Sequence, residues 1–135
     1  MLIHYSEIDS GIWQWEKFTP RELSCPCCGE FYLTQLSLEA IDRLHFSRIK
    51  NGNPFFLNSA HRCIIHNAHV GGAPLSEHKK LAFDVSTRNH DRFQLKADLA
   101  SAGFSTFGLY RTFIHTDPRP GRLWYGKGAN KIWNG

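Results

Sequence analysis

The spacing of apolar residues changes along the chain, and each change marks an element. In "FTPREL", residues 18–23, a helix starts: Thr19 can cap it, Pro20 fits its first position and Glu22 completes a capping box. Leu38, Ile41, Leu44, His45 and Ile49 then recur on or near one face of a helix predicted over roughly 37–50. "NGNP" at 51–54 ends that helix and turns the chain. "FFLNS", 55–59, reads as a short strand, and "AHRCIIHNAHVGG" as a short helix or irregular loop stopping at Gly71-Gly72. "LAFDV", 81–85, is a second strand. An amphipathic helix is predicted over 89–103, with Phe93, Ala97 and Ala100 on one side and Gly103 as its stop. Two short strands follow, near 106–110 and 112–116, and the Pro- and Gly-rich tail is expected to be pinned by Trp124 and Trp133. Helices first, then short strands around one helix, point to an α+β fold with helices packed on a short antiparallel sheet.

Two of these strands carry polar groups that need a reason to be there. Asp84 interrupts "LAFDV", and a buried carboxylate is costly unless a cation or hydrogen-bond donors meet it. His78 stands just upstream, and His115 sits in the apolar "FIHTD" strand. Two histidines and one aspartate leave a fourth position open for water, which is the pattern of a catalytic zinc site. Satisfied core or surface histidines fit the same spacing, and so does an ion-paired or surface role for Arg62 in "SAHRC".

Composition narrows the classes. The 135 residues, 41% hydrophobic and 21% charged, suit one soluble domain over 1–135. A net charge of +4 and a pI near 9.0 favour polyanionic partners. Lys and Arg form no block of like charge, which argues against a nucleic-acid partner. The sequence has no long apolar run and no charged-then-apolar leader, so stable membrane insertion is not expected and synthesis in the cytoplasm is. Cys25, Cys27 and Cys28 in "CPCCG" are too close to pair comfortably with one another. A zinc site of Cys25, Cys28 and Cys63 with one further ligand, a bridge from Cys63 to Cys25 or Cys28, and buried free thiols all remain open. A small zinc-dependent nucleic-acid module would need a second paired-cysteine motif, and none is present.

The ordered set "SAHRCIIHN", "VGGAPLSEH", "LAFDV" and "FGLYRTFIHTDPRPG" resembles the zinc D-Ala-D-Ala carboxypeptidases and peptidoglycan peptidases of family M15, closest to the small branch common in phages and prophages. "ELSCPCCGE" is similar to the N-terminal segment of that branch. The resemblance implies Zn²⁺ held by His78, Asp84 and His115. It also implies a substrate carboxylate gripped by Arg62, Ser76 beside the first ligand, and a pocket loop containing Asn67, Gly71 and Gly72. The implied substrate is a stem or cross-link peptide of bacterial peptidoglycan, and other phage particle proteins are implied as further partners.

Two departures from the family pattern matter. Where the family reads His-x-x-Gly-x-Ala-x-Asp, "HKKLAFD" is one residue shorter and lacks the glycine, so the loop must tighten for both ligands to reach one ion. Where many members place a glutamate three residues before the last histidine, this chain has Thr112. Asp117 is then the nearest acid and the candidate catalytic base, with orienting His115 or pairing with Arg119 as its other roles. His61 or His69 could also reach the cleft. Both departures leave a second reading, a non-catalytic phage structural or wall-binding module with a degraded metal site.

Overall fold

The computed structural model covers residues 1–135. Leu2–His4 (β1) pairs antiparallel with Glu30–Tyr32 (β2) in a small sheet of its own. Between them, where "FTPREL" predicts the start of a helix, the chain makes only a single 3-10 turn over Pro20–Leu23. Its capping box is complete: Thr19 Oγ1 accepts from the Glu22 amide, and the Glu22 carboxylate accepts from the Thr19 amide at 2.6 Å.

Gln35–Asn51 forms α1, capped at one end by Thr34 and closed at the other by Gly52 at φ 84°, where a left-handed residue is needed. Its buried face is Ser37, Ala40, Ile41, Leu44 and Ser47. Ile49, expected on that face, is 53% exposed. At roughly 100° per residue it lies more than a third of a turn from the Ala40–Leu44–Ser47 line.

Helix α3, Arg92–Ser101, starts on Asp91, whose carboxylate accepts from the Gln94 amide at 2.9 Å. The face predicted from Phe93, Ala97 and Ala100 is incorrect. Leu95 and Leu99, one turn apart, are fully buried against the core instead, because two leucines remove far more apolar surface from water than two alanines. Phe93 is half exposed and sets its ring edge against Trp133 at 5.4 Å. Asp98 tolerates burial on the inward face because Asn51 and Gln94 both donate to its carboxylate.

The main sheet has five strands in the order β3–β4–β6–β5–β7: Leu57–Ser59 (β3), Phe83–Ser86 (β4), Thr106–Leu109 (β5), Phe113–Asp117 (β6) and Leu123–Tyr125 (β7). All neighbours are antiparallel except β5 and β7. The short helix α2, Ile64–His69, leaves β3, and α4, Asn130–Asn134, closes the chain. No helix is long and apolar enough to cross a membrane.

Strand periodicity explains the acid in "LAFDV". Side chains alternate across a sheet, so Phe83 and Val85 enter the core while Asp84 points to the other face. Register then builds a row on that outer face. Ser59 pairs with Asp84, Asp84 with His115, His115 with Gly108 and Gly108 with Trp124, from one edge of the sheet to the other. Phe107, Leu109 and Ile114 occupy the opposite parity and complete the core.

Gly108 allows this row to close. A Cβ there would stand 2.5 Å from Trp124 Cε2, so only glycine lets the indole lie across β5 towards His115, at 5.1 Å between rings. The tail is held as well by Trp133, whose Nε1 donates to the Tyr110 carbonyl at 3.0 Å. Gly108→Ala is expected to cost about 1–3 kcal/mol by overpacking. It should also move Trp124 off His115, visible as a change in indole fluorescence alongside a lowered denaturation midpoint.

Candidate metal centre

Three elements deliver the expected ligands to one point. Asp84 and His115 come from the facing strands β4 and β6, and His78 from a 3-10 turn over Glu77–Lys79 that precedes β4. With the loop one residue shorter than the family pattern, His78 still reaches the other two side chains. His78 Nε2 and His115 Nδ1 each lie 3.1 Å from Asp84 Oδ1, and the three ligand atoms fall within 4.8 Å of one another. Ligand bonds of about 2.0–2.2 Å in a tetrahedral zinc site would set such atoms roughly 3.3–3.6 Å apart.

Hydrogen bonding decides what these atoms can accept. His78 Nδ1 lies 2.7 Å from the Ala60 carbonyl, which only accepts, so that nitrogen carries the proton and donates. His115 Nε2 likewise donates to Asp117 Oδ2 at 2.7 Å. In each neutral ring the nitrogen facing Asp84 is therefore a bare lone pair, aimed at a carboxylate that is itself an acceptor. The side chains of His78, Asp84 and His115 are only 4%, 14% and 10% exposed, so water is a poor mediator. A divalent cation satisfies all three at once, and the donor set of two imidazoles and a carboxylate fits zinc.

The titration behaviour follows from the same contacts. Burial acts to raise the Asp84 carboxyl, but with no metal between them a proton on the facing nitrogen of His115 or His78 turns that lone pair into a donor, and these hydrogen bonds and their charge hold the carboxyl down at about 2. Burial acts to lower His115, yet Asp117 and Asp84 outweigh it and push its pKa above the ordinary value. A metal must displace that proton, so the raised pKa makes proton competition begin above the usual ~6.5 of imidazole. Zinc affinity is accordingly expected to fall as pH drops through the raised value and to level off above it. Competition with a chromophoric chelator across pH checks this.

Asp117, the acid expected from sequence as base, has a fully buried side chain. Its Oδ1 accepts from the Arg119 amide and Nε, and its Oδ2 from Arg119 Nη2 and His115 Nε2. The Arg119 pair and the His115 hydrogen bond hold its carboxyl far below the usual range despite burial. His61 is buried beneath Tyr32 and donates from Nδ1 to the Lys80 carbonyl, and burial lowers its pKa. His69 is exposed on α2, so neither of these histidines faces the cleft. Thr112 is exposed in the turn before β6.

The cleft over the three ligands has a volume of about 300 Å³. Arg62 lines it, with Nη2 donating to Ser76 Oγ at 3.0 Å, while Ser76 Oγ also accepts from the His78 amide. Ser76 thus ties the arginine to the first ligand. Arg62 pairs with no acid, and its Nε is buried without a partner. Asn67 is buried behind this wall, donating to the Ala73 carbonyl, and its backbone carbonyl accepts from Gly72. A Cβ on Gly72 would stand 2.2 Å from Asn67 Oδ1, so the Gly72 backbone packs directly on that side chain.

Three further cleft residues escape a reading of the sequence. Glu77 follows Ser76 in the 3-10 turn and approaches Arg119 Nε at 3.5 Å. Tyr110 and Trp124 form the opposite wall, with Trp124 Nε1 donating to Tyr110 Oη at 3.0 Å. Only the position of Glu77 beside His78 offered a local signal.

The family model described as Peptidase M15 matches residues 16–117, a span that holds Arg62, Ser76 and the three candidate ligands. No curated protein matches the chain.

Proposed function

This chain belongs to the peptidase M15 family, whose members are generally zinc-dependent, and we propose that it hydrolyses peptide bonds in stem or cross-link peptides of bacterial peptidoglycan. The observation that carries the reading is the convergence of His78 Nε2, Asp84 Oδ1 and His115 Nδ1 beside an arginine with no acid to neutralise it. Zinc, when bound there, would polarise the scissile carbonyl and acidify the attacking water.

The protein's own groups would do the rest. Arg62 would take a carboxylate of the peptide stem through its planar guanidinium, fixing the scissile bond over the ligands. Ser76 would hold Arg62 in that orientation. Glu77 is the one carboxylate lining the cleft besides Asp84, and we assign it the transfer of a proton from the attacking water to the leaving amine. The base role expected of Asp117 passes to it, because every favourable acceptor position on Asp117 is taken by Arg119 and His115. Asp117 keeps the His115 ring in the tautomer that frees Nδ1. Trp124 and Tyr110 would wall the cleft against water. The net positive charge suits an anionic wall, and a role as a phage lysin or particle-borne peptidase, with other particle proteins as partners, belongs to the same reading.

Arg62→Lys is expected to raise KM for wall peptides about 10–100-fold, the loss of a charge-assisted forked contact worth about 1.5–3 kcal/mol, with kcat changed less. Steady-state kinetics on a soluble stem peptide check this. The reading itself is tested by incubating the zinc-loaded protein with purified peptidoglycan and assaying new amino groups and new reducing ends. New amines with intact glycan support it. New reducing ends without amines, or an unchanged wall, would contradict it.

A further inference from the structure

We propose that Cys25, Cys27, Cys28 and Cys63 form a second metal site, a tetrathiolate that binds one zinc ion and staples the N-terminal "CPCCG" turn to the segment carrying Arg62. The four sulfurs lie within 4.8 Å of one another, with Cys27 Sγ 3.4 Å from both Cys25 Sγ and Cys63 Sγ. A tetrahedral zinc with Zn–S bonds of about 2.3 Å requires sulfur–sulfur edges near 3.8 Å, inside that range. All four are free thiols. A disulfide would use two sulfurs and leave the other two beside it, and Cys27 stands equally close to two candidate partners. A divalent cation uses all four.

The backbone is arranged as such a site needs. Gly29 N donates to the Cys25 carbonyl at 2.7 Å and Cys25 N to the Glu30 carbonyl at 2.7 Å, closing a tight turn that leads directly into β2. Gly29 sits at φ 73°, and a Cβ there would come within 2.5 Å of His4 Nε2, so glycine is required on both counts. The turn brings three thiols close to one another. Cys63, which caps α2, supplies the fourth across 36 residues of chain. Its sulfur accepts from the His66 amide at 3.3 Å, as a thiolate ligand does. Arg21 borders the cluster and would offset part of its negative charge, against one acid, Glu22.

Placement gives the site its purpose. Cys63 follows Arg62 directly, and the Arg62 amide donates to the His78 carbonyl at 2.6 Å. A metal on Cys63 would anchor the peptide segment from which Arg62 reaches into the cleft, and add a covalent tie to an N-terminal region that the body otherwise holds through buried Phe18, Leu23 and Phe31 and the His61 amide's hydrogen bond to the Leu23 carbonyl.

The test uses the full-length His78→Ala chain, in which the histidine site is removed, purified under reducing conditions and loaded with cobalt. The expected result is one metal per chain, intense tetrahedral d–d bands and a near-ultraviolet sulfur-to-cobalt charge-transfer band. Cys27→Ser in the same background should lose both the metal and the bands. Cys27→His, which preserves a ligand, should keep the metal and weaken the charge-transfer band, separating lost ligation from lost folding. A His78→Ala chain that binds no metal and titrates four free thiols would overturn the proposal. So would a mass lower by one or two pairs of hydrogens, which marks disulfides. Neither result bears on the histidine site, which is read in the chain with His78 present.

Discussion

Asp84→Ala is expected to lower kcat/KM for wall peptides by on the order of 10⁴-fold, about 5.5 kcal/mol of transition-state stabilisation, and to abolish zinc binding at the histidine centre. Asp84 is the ligand through which the other two are organised, since both histidine nitrogens face the same Oδ1 at 3.1 Å. Without it, two imidazoles remain, and a divalent ion would lose the only anionic group of the set. The fold should survive, because the side chain lies on the outer face of β4 while its neighbours Phe83 and Val85 hold the core. Metal analysis, thermal melting and peptide kinetics on one preparation separate the two effects. A variant that unfolds would show Asp84 as structural, and one that retains zinc and activity would remove it from the centre.

Glu77→Gln is expected to reduce kcat about 10²–10⁴-fold while leaving zinc content unchanged, the range typical of losing a positioned general base. The substitution preserves size and keeps an acceptor oxygen for Arg119, but the amide cannot take a proton. Asp117→Asn provides the contrast. That change acts on the tautomer of His115 and should show first as weaker zinc binding, recovered in part at high zinc concentration. If Glu77→Gln retains full kcat while Asp117→Asn loses it with zinc still bound, the base is Asp117 and the assignment made here is reversed.

The candidate ligands are legible because each breaks a pattern. An acid inside "LAFDV" and a histidine inside "FIHTD" stand out against period-two apolar runs, and the strand register then brings Asp84 and His115 face to face. α1 was readable from its apolar spacing, and its Thr34 cap and left-handed Gly52 confirm where it starts and stops. Other features depend on tertiary contacts that local periodicity does not encode. β1, β2 and β7 are three residues each, too short to show alternation. Trp124 reaches the cleft only because β7 lies parallel beside β5 and Gly108 leaves room for the ring. The buried face of α3 departs from its apolar spacing because Phe93, its largest apolar residue, packs on the tail at Trp133 and leaves the core to Leu95 and Leu99. The shortened loop implies tightening between His78 and Asp84, and the structure brings the two side chains to 3.1 Å, which a sequence pattern does not show.

The most direct measurement is release of amino groups from purified peptidoglycan by chelator-stripped protein as zinc is added back, run beside stripped Asp84→Ala. The account predicts no release from either stripped protein, recovery in the wild type as the histidine centre refills, and none in the variant at any zinc level. Full release by the stripped wild type, or equal recovery in Asp84→Ala, would contradict a zinc peptidase centred on His78, Asp84 and His115.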